Sequence, residues 1–157
     1  MSAEEIVVRA IGVVSCHRTD LSDDDWGTVE STITIDSKQF SEDALAGLDA
    51  FSHIEVVYHF HRVEVEEIHD GARHPRGRND WPRVGIMAQR AKARPNRIGV
   101  SRCGLLGVDG MVLRVRGLDA VDGTPVLDIK PYFDEFGPIG EVRQPPWSHE
   151  IMENYYR

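Results

Sequence analysis

The sequence lacks the usual features of membrane proteins and of secreted proteins. No apolar run approaches the roughly 20 residues that a membrane-spanning helix needs, and the N-terminus is acidic where an export signal would be basic. The two cysteines, Cys16 and Cys103, form neither a CxxC pair nor a disulfide framework. We therefore expect a reduced, cytoplasmic protein with no membrane contact, in which both thiols are small buried groups.

Several widespread enzyme motifs are also absent. No GxGxxG opens a strand–helix unit, and the sequence contains no P-loop, no GxSxG and no HExxH. The missing glycine fingerprint excludes the common Rossmann route to a nucleotide cofactor. Any nucleotide cofactor must therefore be bound by a fold other than the Rossmann fold.

What remains is a chain of 157 residues with the patterning of a β protein. We expect a single domain, 1–157, because this length is enough for one core and short for two. Apolar, alternating runs predict strands at 6–14, 28–35, 53–61, 85–89, 99–108, 111–118 and 126–129. Asp109-Gly110 and Asp122-Gly123 are typical of tight turns. Short helices are predicted at 42–48, where Ser41 can serve as the N-cap, and at 148–156.

A closed sheet is the natural arrangement for so many short strands. Closure removes the unpaired edges that an open sheet would expose. The stretch 68–84 is rich in residues that break regular structure and is predicted to be a long loop. The predicted fold is a mostly-β, single-sheet β-barrel with one or two short helices.

Charge is distributed unevenly along the chain. The net charge is −8, but residues 73–102 contain nine Arg or Lys and one acid, so this window is +8 and the remainder −16. Such clustering predicts a local anion site on an acidic surface. The alternative is that these cations pair with the surplus acids.

Two segments carry the residues best suited to chemistry. In 85–101, Arg90 and Arg94 precede a turn of Pro and Asn, and could bracket a carboxylate or phosphate through bidentate contacts. In 118–133, Asp119 lies beside a turn, where an acid can accept from ribose hydroxyls or an amino group. Asp128 and Lys130 are two apart on a strand, so they share a face and could form an ion pair.

Taken together, these segments resemble the TsaA-like (TrmO-type) family of S-adenosylmethionine-dependent tRNA methyltransferases. The motif RPNRIGVS at 94–101 and the run LDAVDGTPVLDIKPY at 118–132 closely follow the family pattern, as do FSHIEVVYHFHR at 51–62 and IGVV at 11–14. By eye, the resemblance extends over most of the chain. It implies a single-sheet β-barrel and a homodimer with the cofactor near the subunit interface.

The resemblance also implies an activity and a set of site residues. The reaction is transfer of the methyl group of S-adenosylmethionine to the exocyclic nitrogen of threonylcarbamoyladenosine, beside the tRNA anticodon. Carried over residue by residue, the cofactor contacts are His61, Arg62, Arg90, Ile98, Gly99, Val100, Leu118 and Asp119. We expect substrate contacts at Arg94, Asn96 and Arg97. Polar candidates for catalysis are Asp128, Lys130 and Tyr132, with a structural role as the alternative for Asp128.

The sequence departs from the family pattern at several points. Gln89 replaces a Thr and Arg97 a Pro of the motif, and the chain is expected to be a short form without the C-terminal domain of longer members. The family's cofactor-contacting loop is replaced by the acidic stretch 22–28, where Trp26 is a candidate to stack over the cofactor. These departures leave open a small-molecule substrate with the same cofactor.

Two alternatives belong to other classes of protein. His59 and His61 form an H-x-H pair that, with Glu64 or Glu66, resembles the ligand set of a cupin-like, metal-dependent barrel enzyme. A non-catalytic module that binds S-adenosylmethionine or RNA is the other, because a fold alone does not establish an activity. The methyltransferase prediction itself requires no metal.

Overall fold

Strands with alternating burial close into a barrel in the computed structural model, which describes residues 3–157. The six barrel strands follow one another in the closed order β1-β2-β7-β6-β3-β8, and the two shortest strands, β4 and β5, pair separately. In chain order the strands are β1 (Gly12–Ser15), β2 (Glu30–Ile35), β3 (His53–His59), β4 (Ala72–Arg73), β5 (Val84–Gly85), β6 (Ile98–Asp109), β7 (Val112–Arg116) and β8 (Pro125–Pro131). All neighbouring barrel strands are antiparallel.

The interior of the barrel is filled by side chains from every second position of each strand. Along β3 every second side chain is buried, because successive residues of a strand point to opposite faces of the sheet. Each fully buried aliphatic side chain stabilises the fold by about 1.5–3 kcal/mol. The core comprises Val14, Ile33, Ile35, Ile54, Val56, Tyr58, Cys103, Leu113, Val115, Leu118, Ala120 and Val126.

The predicted mostly-β barrel is confirmed, and most of the predicted strands are present. Asp109 pairs with Val112 across a two-residue turn in which Gly110 has a φ of 57°, as the Asp-Gly signal indicates. Two strand predictions are wrong in extent. Only the end of 6–14 is paired. In 85–89 only Gly85 belongs to a strand, the short β5 that pairs with β4, and the chain then forms a 3₁₀ turn at Ile86–Ala88.

The helices are shorter than predicted. The 42–48 segment forms two 3₁₀ turns, Glu42–Leu45 and Leu48–Ala50, separated by Gly47 at a φ of 85°. Ser41 makes no capping hydrogen bond through its side chain. Near the C-terminus, the α-helix α1 (Pro146–Ile151) is followed by turns, so the predicted 148–156 helix ends early. Within residues 3–157 no helix is long and apolar enough to cross a membrane.

The barrel has two ends that differ in chemistry. We call the upper end the one where β1, β3 and β7 finish and β2, β6 and β8 begin, and the lower end the opposite one. The loop 117–124, between β7 and β8, lies across the upper end. Two main-chain hydrogen bonds hold it there. The amide of Gly123 donates to the oxygen of Val14, and the amide of Asp122 donates to the oxygen of Arg18.

Candidate functional site

A half-buried carboxylate lies at the upper end of the barrel. Asp119 follows β7, and both of its oxygens accept hydrogen bonds from hydroxyl groups. Oδ1 accepts from Tyr58 at 3.0 Å and from Ser101, while Oδ2 accepts from Tyr155. Tyr58 and Ser101 reach it from the facing strands β3 and β6, and Tyr155 from the C-terminal segment. The site therefore joins two barrel strands, one loop and the end of the chain.

The electrostatics of this cluster are dominated by burial. Burial raises the pKa of Asp119 above its ordinary value, although the hydrogen bonds from Tyr155 and Tyr58 and the positive charge of Arg90 act in the opposite direction. Burial, together with the Asp119 charge, also raises the pKa of the Tyr58 and Tyr155 hydroxyls. Both tyrosines consequently stay protonated and act as hydrogen-bond donors.

Gly99 allows β3 and β6 to approach each other closely beside Asp119. A Cβ at this position would lie 2.6 Å from the ring of Tyr58 and 2.8 Å from Phe60. A side chain here would therefore push away the tyrosine that contacts Asp119. Gly99 is a predicted cofactor residue, and the structure gives it a packing role at the same place.

Arg90 lies against the beginning of β6. Its guanidinium donates to the main-chain oxygen of Val100 at 2.8 Å, which leaves other N–H groups of the fork available. Ile98 and Val100 point outward from β6 and are 40% and 44% exposed. Leu118, by contrast, is fully buried, so neither its side chain nor its main chain is exposed to a ligand in this structure.

His61 and Arg62 follow the end of β3 and diverge. A Cβ at Gly123 would lie 3.7 Å from Nε2 of His61, which places this imidazole near the loop across the upper end. Arg62 is exposed and donates to the main-chain oxygen of Thr19. Six of the eight predicted cofactor residues therefore meet near Asp119 or next to it in the chain: Arg90, Ile98, Gly99, Val100, Leu118 and Asp119 itself.

The predicted substrate residues form the turn that leads into β6. Asn96 and Arg97 have φ values of 63° and 51°, and the turn is closed by the amide of Arg97 on the oxygen of Arg94. Arg94 donates to the oxygen of Gln89 at 2.7 Å, and Arg97 to that of Val63 at 2.6 Å. Both guanidinium groups thus hold the turn in place, while Asn96 is exposed.

The three predicted catalytic residues lie away from Asp119, on β8 and just after it. Asp128 and Lys130 form the expected ion pair at 2.8 Å, and Asp128 also accepts from the amide of Ile129. Tyr132 packs under the guanidinium of Arg102 at 4.0 Å. The structure therefore does not bring these residues into the Asp119 cluster, and their catalytic role stays a prediction.

The basic window is largely engaged within the protein. Arg76 and Lys92 contact Asp23 and Asp24 of the acidic stretch 22–28. Seven of its nine cations have a carboxylate or a main-chain oxygen as partner: Arg76, Arg78, Arg90, Lys92, Arg94, Arg97 and Arg102. Pairing with acids outside the window thus accounts for Arg76, Lys92 and Arg102, while Arg90, Arg94 and Arg97 contact main-chain oxygens and keep their charge.

The proposed stacking role of Trp26 is wrong in this structure. Trp26 is only 4% exposed, because the guanidinium of Arg18 lies 3.7 Å from its ring centre and Val29, Val121 and Tyr155 pack around it. Its ring faces are therefore covered by the protein itself, and Trp26 supports the C-terminal segment that reaches Asp119.

Sequence reasoning missed three of the four residues in the Asp119 cluster. Tyr58 and Ser101 were passed over because their inward direction follows only from the register in which β3 pairs with β6. The alternation of apolar residues around Tyr58 could have shown that its hydroxyl is buried and needs a partner. Tyr155 lies 36 residues from Asp119, and no local signal indicates that contact.

The cupin-like alternative finds no support in the geometry. The strand ends at His59, and the amide of His61 turns back to the His59 oxygen, so the two imidazoles do not continue one strand face. Burial and the nearby charges of Arg97 and Arg62 lower the pKa of these histidines, which favours the neutral imidazole but brings no third ligand to them. Among the described residues, 3–157, no group of three His, Cys, Asp or Glu could hold a metal ion.

The lower end of the barrel has a different character. A groove of about 460 Å³ opens there between Ile11 of the N-terminal segment and Ile129 and Pro131 of β8. All of its lining residues are apolar or glycine. A groove without polar side chains offers no charged partner for a ligand with an amino-acid end, so the upper end is the better candidate site.

Comparison with known proteins agrees with this fold. The family described as the tRNA-methyltransferase O N-terminal domain matches residues 24–137, about three quarters of the chain. The chain belongs to this family. The match contains β2 through β8 and therefore Tyr58, Arg90, Ser101 and Asp119, and it favours the methyltransferase prediction over the cupin-like one.

Individual members of the family show where the similarity is strongest. A probable S-adenosyl-L-methionine-binding protein of Methanothermobacter thermautotrophicus is 40% identical over 144 residues, which cover 89% of this chain and 99% of that protein. A tRNA (adenine(37)-N6)-methyltransferase of Escherichia coli is 44% identical over 95 residues, which cover 57% of this chain and 40% of the enzyme.

A solved structure extends the likeness to the fold. The crystal structure of TrmO from Pseudomonas aeruginosa superposes with a TM-score of 0.75 at 26% identity, covering 93% of this chain and 63% of that one. The chain thus spans nearly the whole of the archaeal relative, but less than two thirds of the bacterial enzyme and of the solved TrmO chain.

Proposed function

We propose that this protein is an S-adenosylmethionine-dependent methyltransferase that modifies the exocyclic nitrogen of adenosine 37 in tRNA. The observation that carries the proposal is the half-buried carboxylate of Asp119, with Arg90 close enough to act on its pKa, at the upper end of a barrel of the tRNA-methyltransferase O family. Relatives of this chain are named for the same cofactor and for this reaction.

The chemistry of the residues present fits the cofactor. S-adenosylmethionine supplies an activated methyl group on a sulfonium, and it carries an ammonium, a carboxylate, a ribose and an adenine by which it can be held. Asp119 suits the ammonium or a ribose hydroxyl, and Arg90 suits the carboxylate. The exposed apolar surface of Ile98 and Val100 suits the adenine. His61, Arg62 and Leu118 are the remaining contacts that the family resemblance implies.

Positioning supplies much of the rate in this proposal. Methyl transfer from a sulfonium is an in-line displacement, so holding donor and acceptor in line removes a large entropic part of the barrier. A base must also take the proton from the substrate nitrogen. We propose Asp128, Lys130 and Tyr132 as candidates for this step. Because Asp128 lies outside the Asp119 cluster, the role requires the substrate to lie against the outer face of β8.

The finer features of the proposal follow from the family resemblance. We propose that the adenosine already carries a threonylcarbamoyl group, that Arg94, Asn96 and Arg97 contact the substrate, and that the protein acts in the cytoplasm on free tRNA. We also propose a homodimer with the cofactor near the subunit interface. Light scattering coupled to size-exclusion chromatography measures the oligomeric state directly, and a monomeric mass would contradict the dimer.

A small-molecule substrate with the same cofactor is the second candidate. The internal pairing of the basic window favours it, because engaged cations are less available to phosphates. Incubating the protein and cofactor with tRNA from a strain lacking this activity, followed by mass analysis of nucleosides, separates the two. A methylated adenosine supports tRNA, whereas cofactor binding without any modified nucleoside supports the small molecule.

Calorimetric titration with S-adenosylmethionine is the primary test. We expect saturable binding that Arg90→Ala weakens by about tenfold, the size of a lost charge-assisted hydrogen bond. Arg114→Ala is the matched control, because this arginine lies exposed on the outer face of β7. Wild-type protein that shows no binding at millimolar cofactor, with or without tRNA, would refute the proposal.

A further inference from the structure

The C-terminal segment 152–157 packs back against the upper end of the barrel. After α1 the chain turns and runs beside residues 25–27, where the amide of Asp25 donates to Asn154 at 3.0 Å and that of Trp26 donates to Tyr155 at 2.8 Å. This segment lies beyond residues 24–137, the part that matches the family. The contact therefore brings a residue from outside the matched range to the site.

Gly27 makes this docking possible. A Cβ at Gly27 would lie 2.1 Å from the main-chain oxygen of Tyr156 and 2.7 Å from its carbonyl carbon. Contacts this short with backbone atoms cannot be relieved by rotating a side chain. Because only glycine permits this close approach, the glycine at position 27 allows the C-terminal segment to pack here.

The C-terminal segment contributes one hydrogen-bond donor to Asp119. The hydroxyl of Tyr155 donates to Oδ2, while Tyr58 and Ser101 occupy Oδ1. A carboxylate offers about four acceptor positions, so this arrangement leaves one position on Oδ2 for a further donor. The orientation of that position is fixed because both oxygens are already held.

We propose that Tyr155 is a positioning residue of the cofactor site, which holds Asp119 so that its remaining acceptor position faces the cofactor. The inference rests on the proposed function and deepens it, since it assigns part of cofactor binding to a segment outside the matched domain. Tyr155 acts through Asp119 and needs no contact with the reacting atoms.

The environment of Asp119 gives this role a measurable signature. The groups that face it are Tyr58 from β3, Ser101 and Cys103 from β6, Tyr155 and Tyr156 from the C-terminal segment, and Arg90. The hydrogen bond from Tyr155 favours the charged carboxylate and so lowers its pKa, against the effect of burial. Removing this bond moves the pKa of Asp119 upward.

The test compares Tyr155→Phe with Tyr156→Phe in calorimetric titrations with S-adenosylmethionine from pH 5 to pH 9. We expect Tyr155→Phe to weaken binding by about tenfold and to shift the pH at which affinity falls to a higher value. The neighbouring hydroxyl of Tyr156 makes no hydrogen bond to Asp119 in the structure, so its loss should change neither quantity. An equal loss at every pH, or no loss, would overturn the proposal.

Gly27→Ala provides an independent arm, since it displaces the segment without altering any side chain of the site. We expect it to reproduce the weakened binding and the shifted pH profile of Tyr155→Phe. Wild-type affinity in Gly27→Ala would overturn the proposal as well. Absence of binding by the wild-type protein would instead contradict the proposed function, so the two failures are distinguishable.

Discussion

Replacing Asp119 with asparagine tests the electrostatics of the site most directly. Asparagine keeps the size of the side chain and one acceptor oxygen, so Tyr58 and Ser101 can still donate to it. The new amide group faces the hydroxyl of Tyr155, which can rotate to accept instead. The substitution therefore removes the charge with little change in packing.

The expected effect on stability is a gain. Burial raises the pKa of Asp119 despite three hydroxyl donors, so the folded barrel favours the neutral acid over the carboxylate. Because the substitution removes the charge whose burial is unfavourable, we expect Asp119→Asn to increase the free energy of unfolding at pH 8, seen as a higher urea midpoint and a higher Tm.

The gain must depend on pH in a definite direction. An unfolded chain releases the Asp119 proton near the ordinary value of 3.8, whereas the folded chain keeps it to higher pH. Between these values the folded state binds more protons, so wild-type stability falls as the pH rises. The advantage of Asp119→Asn should consequently be complete above the folded pKa and vanish as the pH approaches 3.8.

Urea denaturation of both proteins over a pH series measures this difference. The same variant should bind S-adenosylmethionine about tenfold more weakly, because a charge-assisted hydrogen bond becomes a neutral one. A variant that is less stable than the wild type at pH 8 would refute the reasoning, since the carboxylate would then be a net stabilising group.

Three further substitutions or reactions probe the packing around the site. Gly99→Ala should lower the free energy of unfolding by about 1–3 kcal/mol, because its methyl would overlap the Tyr58 ring; an unchanged urea midpoint would contradict the close approach. Leu118→Ala should cost about 2–5 kcal/mol in the same assay, since Leu118 is fully buried, and a loss below 1 kcal/mol would argue against that burial. Burial raises the pKa of Cys103 to about 12, so a thiol reagent at pH 8 should label Cys16 before Cys103. Equal labelling rates for the two cysteines in native protein would contradict the burial of Cys103.

The barrel could be predicted from the sequence because its strands carry strong local signals. The alternation around Ile54, Val56 and Tyr58 indicates one buried face, and the Asp109-Gly110 turn fixes the β6–β7 hairpin. The 85–89 segment carries a similar apolar signal without becoming a strand. The amide of Gln89 there donates to the oxygens of Arg73 and Val84, an arrangement that depends on a distant loop.

The site could be predicted only in part, because several of its contacts join residues that are far apart in the chain. Asp119 and Arg90 stand in motifs that resemble a known family, and the structure places them within electrostatic reach of each other. The hydroxyl groups that complete the cluster are set by strand register and by the path of the C-terminal segment. Tyr155 reaches Asp119 only because residues 25–27 bind the end of the chain, and such long-range pairing has no local signature.

The internal pairing of the basic window has a consequence for how this protein would hold RNA. Each phosphate that a free Lys or Arg neutralises releases condensed counterions, and the number released sets the slope of affinity against salt. Arg76 and Lys92 already have Asp23 and Asp24 as their counterions. These two side chains would release few counterions on binding, so the affinity for tRNA should fall less steeply with salt than a window of nine free cations would give.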